Sequence, residues 1–201
     1  SLHDALPIWP GALKRRVARE VLEQGALINS LRVEPELGSP SRGGLPGTLA
    51  RRVGDGWRLS GHKLYTTGIP GLTWLAVWAC SDEPIPRVGT WLVRRDSPGI
   101  RIVESWDHLG MRASGSHEVL FEEVAVPLEN AIGLHPHDQP PAPDQAVLRD
   151  FAQASAVLLG ALYDGIAGSA REWLVGWLRE RVPASLGAPL ASLPRMQEAL
   201  G

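Results

Sequence analysis

The sequence predicts an α+β protein: an antiparallel β-barrel or sandwich domain, flanked by an N-terminal helix and part of a C-terminal helical bundle. Three observations carry that expectation. Between residues 27 and 126, short runs rich in Val, Ile, Leu and Trp recur between Gly and Pro turns, the pattern of many short strands. Ahead of them, Leu13, Val17 and Val21 repeat every four residues and make one apolar stripe. After them, residues 144–181 contain no proline and repeat apolar side chains at helical spacing.

The first helix is expected over residues 10–24. Pro10 suits an opening turn and Gly25 a left-handed stop. Lys14, Arg15, Arg16 and Arg19 cover the face opposite the stripe, as a solvated surface would. The first strand, 27–33, ends at Glu34-Pro35, because proline forces its predecessor into extended backbone and brings no N–H to a ladder. Residues 38–46 form a loop of Gly, Pro and Ser. No Gly-Lys-Ser/Thr follows, so it is not a P-loop. Strands at 48–53 and 57–65 are joined through Gly54-Asp55-Gly56, a turn that accepts positive φ.

Runs at 74–80, 88–94, 100–106 and 118–126 complete the β-type set. The pattern alone does not separate a sandwich from a barrel. Residues 127–143, dense in proline, read as a linker. His135 and His137 within it lack carboxylate or thiol companions and read as solvated rather than metal-binding. In the last region Gly160, Gly165 and Gly168 each cost a helix about 1 kcal/mol relative to alanine. Close packing of another helix would explain them. Residues 183–189 break this helix and 190–201 begin the next.

Composition narrows the function classes. The chain has 201 residues, 44% hydrophobic and 21% charged, enough for one sizeable core and unlike a disordered segment. A formal net charge of −2 gives no reason to expect a nucleic-acid partner. The single Cys80 lies in an apolar run, so it reads as packing, and a disulfide framework is excluded. No apolar run is long enough to cross a bilayer, and the expected setting is the cytoplasm, with no membrane partner. Residues 1–8 resemble a translated sequencing adapter and are set aside as non-native. The last residues fall inside an expected helix, so the chain is expected to be a fragment of a longer protein.

Residues 59–69 (Leu-Ser-Gly-His-Lys-Leu-Tyr-Thr-Thr-Gly-Ile) run from a strand into a hydroxyl-rich corner. The loop through Glu34 and Ser39 precedes them. Two backbone ends carrying Ser and Thr hydroxyls suit the edge of a flat polar ring, which alternates donors and acceptors. The competing reading is that these hydroxyls cap turns and the β-branched threonines serve the strand. Ser114, Ser116 and His117 raise a hydrolase reading, but no Gly-x-Ser-x-Gly is present and no pattern places an acid.

Several motifs in order carry a resemblance: Glu34-Pro35-x-x-Gly38-Ser39, the Gly54-Asp55-Gly56-Trp57 hairpin, and Gly61-His62-Lys63-Leu64-Tyr65-Thr66-Thr67-Gly68. Leu109-Gly110-Met111-Arg112-Ala113-Ser114 and Val124-Ala125-Val126-Pro127 follow. Together they resemble the acyl-CoA dehydrogenase superfamily, centred on its middle domain, over roughly residues 10 to 201. The resemblance implies that 9–26 are the last helix of an N-terminal helical domain. It makes 27–133 the middle β-domain, 134–143 a linker and 144–201 part of a C-terminal helical domain.

It further implies FAD as cofactor. Tyr65 would lie beside the isoalloxazine, with Thr66 and Thr67 completing the corner. A hydrogen bond from Thr67 to the N5/O4 edge would stabilise the charge that arrives with hydride. Val33 stands where the family has threonine and Pro40 where it has aspartate, so Val33 would contribute only its backbone amide. Ser39 would lie near both the flavin and the acyl thioester.

Arg181 and Gln197 fall near family residues that reach the flavin pyrophosphate of a partner subunit, although Val-Pro-Ala-Ser-Leu-Gly after Arg181 departs from the usual Arg-x-x-Phe-Gly. Arg112 is implied to be a structural ion-pair residue. The activity implied is FAD-dependent α,β-dehydrogenation of an acyl-CoA or related thioester, as in fatty acid metabolism. Electrons would pass to an electron-transfer flavoprotein, in a homodimer or homotetramer. The family's proton-abstracting glutamate belongs to a stretch this chain does not include. No catalytic residue is therefore assigned, and the fragment is expected to be inactive alone. The alternatives are a flavin-dependent monooxygenase of the same fold, suggested by the Tyr-Thr-Thr corner and Val33, and a non-catalytic fragment or interaction module.

Overall fold

The computed structural model describes residues 9–37, 44–139 and 145–200, and the chain divides into two units, Ser1–Pro141 and Ala142–Gly201. In the first unit, helix α1 (Gly11–Gln24) ends at Gly25, whose φ of 65° turns the chain so that the Ala26 N–H donates back to the Glu20 carbonyl at 3.2 Å. Eight strands follow: β1 (Ile28–Leu31), β2 (Leu49–Val53), β3 (Gly56–Thr66), β4 (Trp74–Ser81), β5 (Arg87–Arg94), β6 (Ile100–Val103), β7 (His117–Pro127) and β8 (Ala131–Pro136). They form one sheet in the order β6-β7-β3-β2-β4-β5-β8, with β1 also paired to β4. Most pairings are antiparallel, as expected. Strand β4 is the exception: β1 runs parallel along its first half and β2 parallel at its end.

Alternation explains which face is buried. Leu75, Val77 and Ala79 of β4 and Trp91 and Val93 of β5 point into one core, with Trp57 and Leu59 of β3. In β7 the inward set is Val119 and Phe121, then Val124 and Val126. That change of phase needs one extra residue, and Glu123 supplies it at φ 50° while the β3–β7 register shifts between Leu59 and Gly61. On the opposite face, Leu13 and Val17 of α1 cover Trp74, Leu92 and Ile132. The basic face of α1 is only partly solvated: Arg16 donates to Asn130 Oδ1 at 2.7 Å and lies 5.5 Å from the Trp74 ring centre.

Two segments differ from expectation. Residues 127–143, expected as a linker, hold a 3-10 turn (Leu128–Asn130) and the strand β8, which completes the sheet beside β5. The proline density hid it, because Pro127 and Pro136 sit at strand ends, where a missing N–H costs nothing. The run expected at 100–106 stops at Val103.

The second unit holds helix α2 (Gln145–Glu180), a 3-10 turn (Leu190–Ser192) and helix α3 (Pro194–Leu200). Leu158, Leu162, Tyr163, Ile166 and Trp173 of α2 are exposed. The space beside Gly160, Gly165 and Gly168 is open, so the close-packed helix expected there is not among the described residues.

Candidate functional site

The two motif segments are brought together by a buried ion pair that the sequence reading did not anticipate. Lys63 is fully buried and Glu34 is 4% exposed. Lys63 Nζ donates to Glu34 Oε1 at 2.6 Å and to the Trp78 carbonyl at 2.6 Å. The same Glu34 oxygen accepts from Thr48 Oγ1 at 2.6 Å and from the Thr48 amide at 3.0 Å, and Oε2 accepts from the Gly47 amide at 2.6 Å. Burial raises the Glu34 pKa, but the bonds from Lys63, Thr48 and Gly47 outweigh it and leave the carboxyl below its ordinary range. Burial draws the Lys63 ammonium down, against the support of Glu34.

Gly61 permits this arrangement. A Cβ there would come within 2.5 Å of Thr48 Oγ1 and 2.7 Å of Thr48 Cα. One further bond, from the Leu64 amide to the Val33 carbonyl at 2.9 Å, fixes the end of the first segment beside the second.

The corner follows directly. Tyr65 adopts φ 53°, an uncommon conformation for an aromatic residue. It leaves the residue 56% exposed and its ring edge-on to Trp106, with centres 6.4 Å apart. Thr66 turns inward, fully buried, with Oγ1 unpartnered among the described residues. Thr67 is exposed, its carbonyl taking the Asn29 side-chain amide at 2.9 Å. Its Oγ1 lies 2.9 Å from Ser116 Oγ, which lies 2.8 Å from Ser114 Oγ. A run in which Ser114 donates to Ser116 and Ser116 to Thr67 leaves the Thr67 proton for a ligand. Gly68, at φ 78°, closes the turn by donating to the Ser114 carbonyl at 2.7 Å.

The arrangement thus gathers Val33, Tyr65, Thr66 and Thr67. Ser39 lies outside the described residues. Arg181 and Gln197 belong to the second unit. There Gln197 Nε2 donates to the Ala191 carbonyl at 3.0 Å and lines a pocket of about 400 Å³ with Arg171, Arg179 and Met196, which Arg181 does not line. Arg112 pairs with Asp107 at 3.6 Å on the surface. His117 does not serve the serines as a base, since its Nδ1 accepts the Trp106 amide at 3.1 Å.

Sequence reasoning missed Glu34, Lys63, Ser116 and Trp106 as site builders. The signal for Lys63 was its parity: it shares the inward phase of Trp57 and Leu59, where a lysine needs a buried partner. Among the described residues no three His, Cys, Asp or Glu side chains gather as metal ligands, and no helix is long and apolar enough to cross a membrane.

A mixed sheet on which Val33 and Glu34 meet Lys63 and Leu64 beside a hydroxyl-bearing corner defines a class of β-domain, and comparison assigns it. Residues 33–124 match the family model described as acyl-CoA dehydrogenase, middle domain. A Bacillus subtilis (strain 168) protein called "Putative acyl-CoA dehydrogenase YdbM" is 34% identical over 193 residues, covering 96% of this chain and 48% of that protein. L-evernosamine nitrososynthase of a Micromonospora species is 35% identical over 141 residues, covering 68% of this chain and 32% of that enzyme. Among solved structures, a glutaryl-CoA dehydrogenase from Mycobacterium smegmatis in complex with FADH2 superposes with a TM-score of 0.69 at 26% identity, covering 96% of this chain and 47% of that one. The chain belongs to the acyl-CoA dehydrogenase superfamily. It spans about half the length of YdbM.

Proposed function

We propose that this chain forms the flavin-edge portion of an FAD-dependent oxidoreductase that desaturates an acyl thioester, acyl-CoA by class, at its α and β carbons. The observation that carries the reading is the corner at Tyr65, Thr66 and Thr67, set against the end of β1 by the Leu64–Val33 bond. Its donor set fits an isoalloxazine edge. An exposed aromatic ring offers a wall and a hydroxyl backed by two others offers a donor, while the Thr66 side chain faces the core and leaves only its backbone at the corner. FAD, when bound, supplies the acceptor for a hydride.

The chain's own residues bind and orient. Tyr65 flanks the ring, and Thr67 donates to an acceptor on its edge, with its proton direction set by Ser116 and Ser114. Val33 keeps its backbone amide for the cofactor, and Ser39 belongs with the thioester side. Arg181 and Gln197 are proposed to meet the dinucleotide of a neighbouring subunit in a homodimer or tetramer. Electrons would leave through an electron-transfer flavoprotein. The test is titration of the purified chain with FAD, followed by flavin absorbance and fluorescence. Saturable binding that Thr67→Val weakens supports the reading, and no binding by the folded chain refutes it.

A second reading is a flavin monooxygenase of the same fold. Val33 and Tyr65, where the family has threonine and tryptophan, favour it, as does the similarity to the nitrososynthase. Reduction of the full-length protein's flavin by an acyl-CoA under nitrogen supports dehydrogenation. Failure to reduce, with an oxygenated amine formed when the chemically reduced flavoprotein meets oxygen, supports the second reading.

A further inference from the structure

Beside the corner, the connection between β6 and β7 encloses a cleft of about 160 Å³ lined by Leu64, Tyr65, Ser105, Trp106, His108, Ser116 and Glu118. Three of its seven lining residues carry rings. Tyr65 meets Trp106 edge to face at 6.4 Å, and His108 lies against Trp106 with centres 3.9 Å apart and planes tilted by 31°. Trp106 is itself fixed, its indole N–H donating to the Met111 carbonyl at 3.1 Å.

One carboxylate lines the cleft, and no Lys or Arg does. Glu118 Oε2 lies 2.7 Å from His62 Nε2, while Oε1 takes no partner among the described residues. A carboxylate held in place, an aromatic wall and a serine hydroxyl make the donor-accepting, electron-rich surround that recognises an alkylammonium group. An anion would meet Glu118 in like charge. The volume admits a head group and excludes a whole cofactor.

We propose that this cleft binds the ammonium head of a small amine, through Glu118 and the Trp106 and Tyr65 rings. Its placing of an amine-bearing substrate beside the cofactor edge rests on the flavin reading above in its monooxygenase form; the cleft's preference for a cation does not. The experiment is calorimetric titration of the full chain at neutral pH with cyclohexylamine and with cyclohexanol, its uncharged counterpart of similar shape. FAD binding is titrated separately.

The expected result is that the amine binds at least tenfold more tightly than the alcohol, and that Glu118→Gln removes the difference. Equal affinity for the two probes, binding of neither, or a preference that survives Glu118→Gln overturns the proposal. Where Glu118→Gln melts early by circular dichroism, the comparison of the two probes on the unmodified chain decides alone. FAD binding without an amine preference overturns the cleft and leaves the flavin reading. An amine preference without FAD binding upholds the cleft and overturns the flavin reading.

Discussion

At the scale of single residues, Lys63 and Glu34 matter most. Each is buried, and each satisfies the other with help from Thr48, Gly47 and the Trp78 carbonyl. Removing one partner leaves the other charge in the interior, so Glu34→Gln or Lys63→Met is expected to cost about 3–5 kcal/mol in urea unfolding. Replacing both is expected to cost much less than the sum, because no stranded charge remains.

Thr67 is the second residue of consequence. Loss of one hydrogen bond of about 1 kcal/mol predicts about fivefold weaker FAD binding by Thr67→Val, read by fluorescence titration. Cys80 is 3% exposed and burial pushes its thiol up. Native chain is expected to resist alkylation by iodoacetamide, with full labelling only in denaturant.

At the scale of elements, the hairpin and the phase changes were unequally legible. The turn at Gly54-Asp55-Gly56 was readable because glycine at φ 57° leaves a local signature. The bulge at Glu123 was not, because a glutamate at positive φ has none. It is held from outside, by Ser60 Oγ donating to Glu123 Oε1 at 2.9 Å and by Arg51. Strand β8 was obscured by flanking prolines.

The corner itself was legible as a motif, with Tyr65 and Thr67 named from sequence. Its supports Lys63 and Ser116 were not, since their partners lie 29 and 49 residues away along the chain. Helix α2 offers an element-level test. Alanine at Gly165 meets open space, so Gly165→Ala is expected to stabilise the helix of this chain by about 1 kcal/mol, measured as helical signal on heating.

For the whole molecule, the buried pair sets the pH response. The Glu34 carboxyl is held below its usual 4.5 in the folded chain. Its contribution to stability is present above that value and is lost as pH falls through the lowered one, since the unfolded chain takes up the proton first. Lys63 is lowered from 10.5. Between its folded value and 10.5 the unfolded chain binds more protons, so this group makes stability rise with pH in that alkaline window. Melting followed by circular dichroism is expected to fall on the acid side in the native chain, and that fall is expected to be shallower in Glu34→Gln. An acid limb unchanged by the substitution would assign it to other carboxylates.

The double flank of β4 bears on the order in which the sheet assembles. Two strands, β1 and β2, must line up along the same edge, one behind the other, before that edge is complete. Neither alignment is between neighbours in the chain, so closure entropy opposes both. The gap between them is where Glu34 and Lys63 meet. Assembly of the corner at Tyr65–Thr67 is therefore expected to be among the last events in folding, and stopped-flow refolding should show Glu34→Gln speeding unfolding far more than it slows folding.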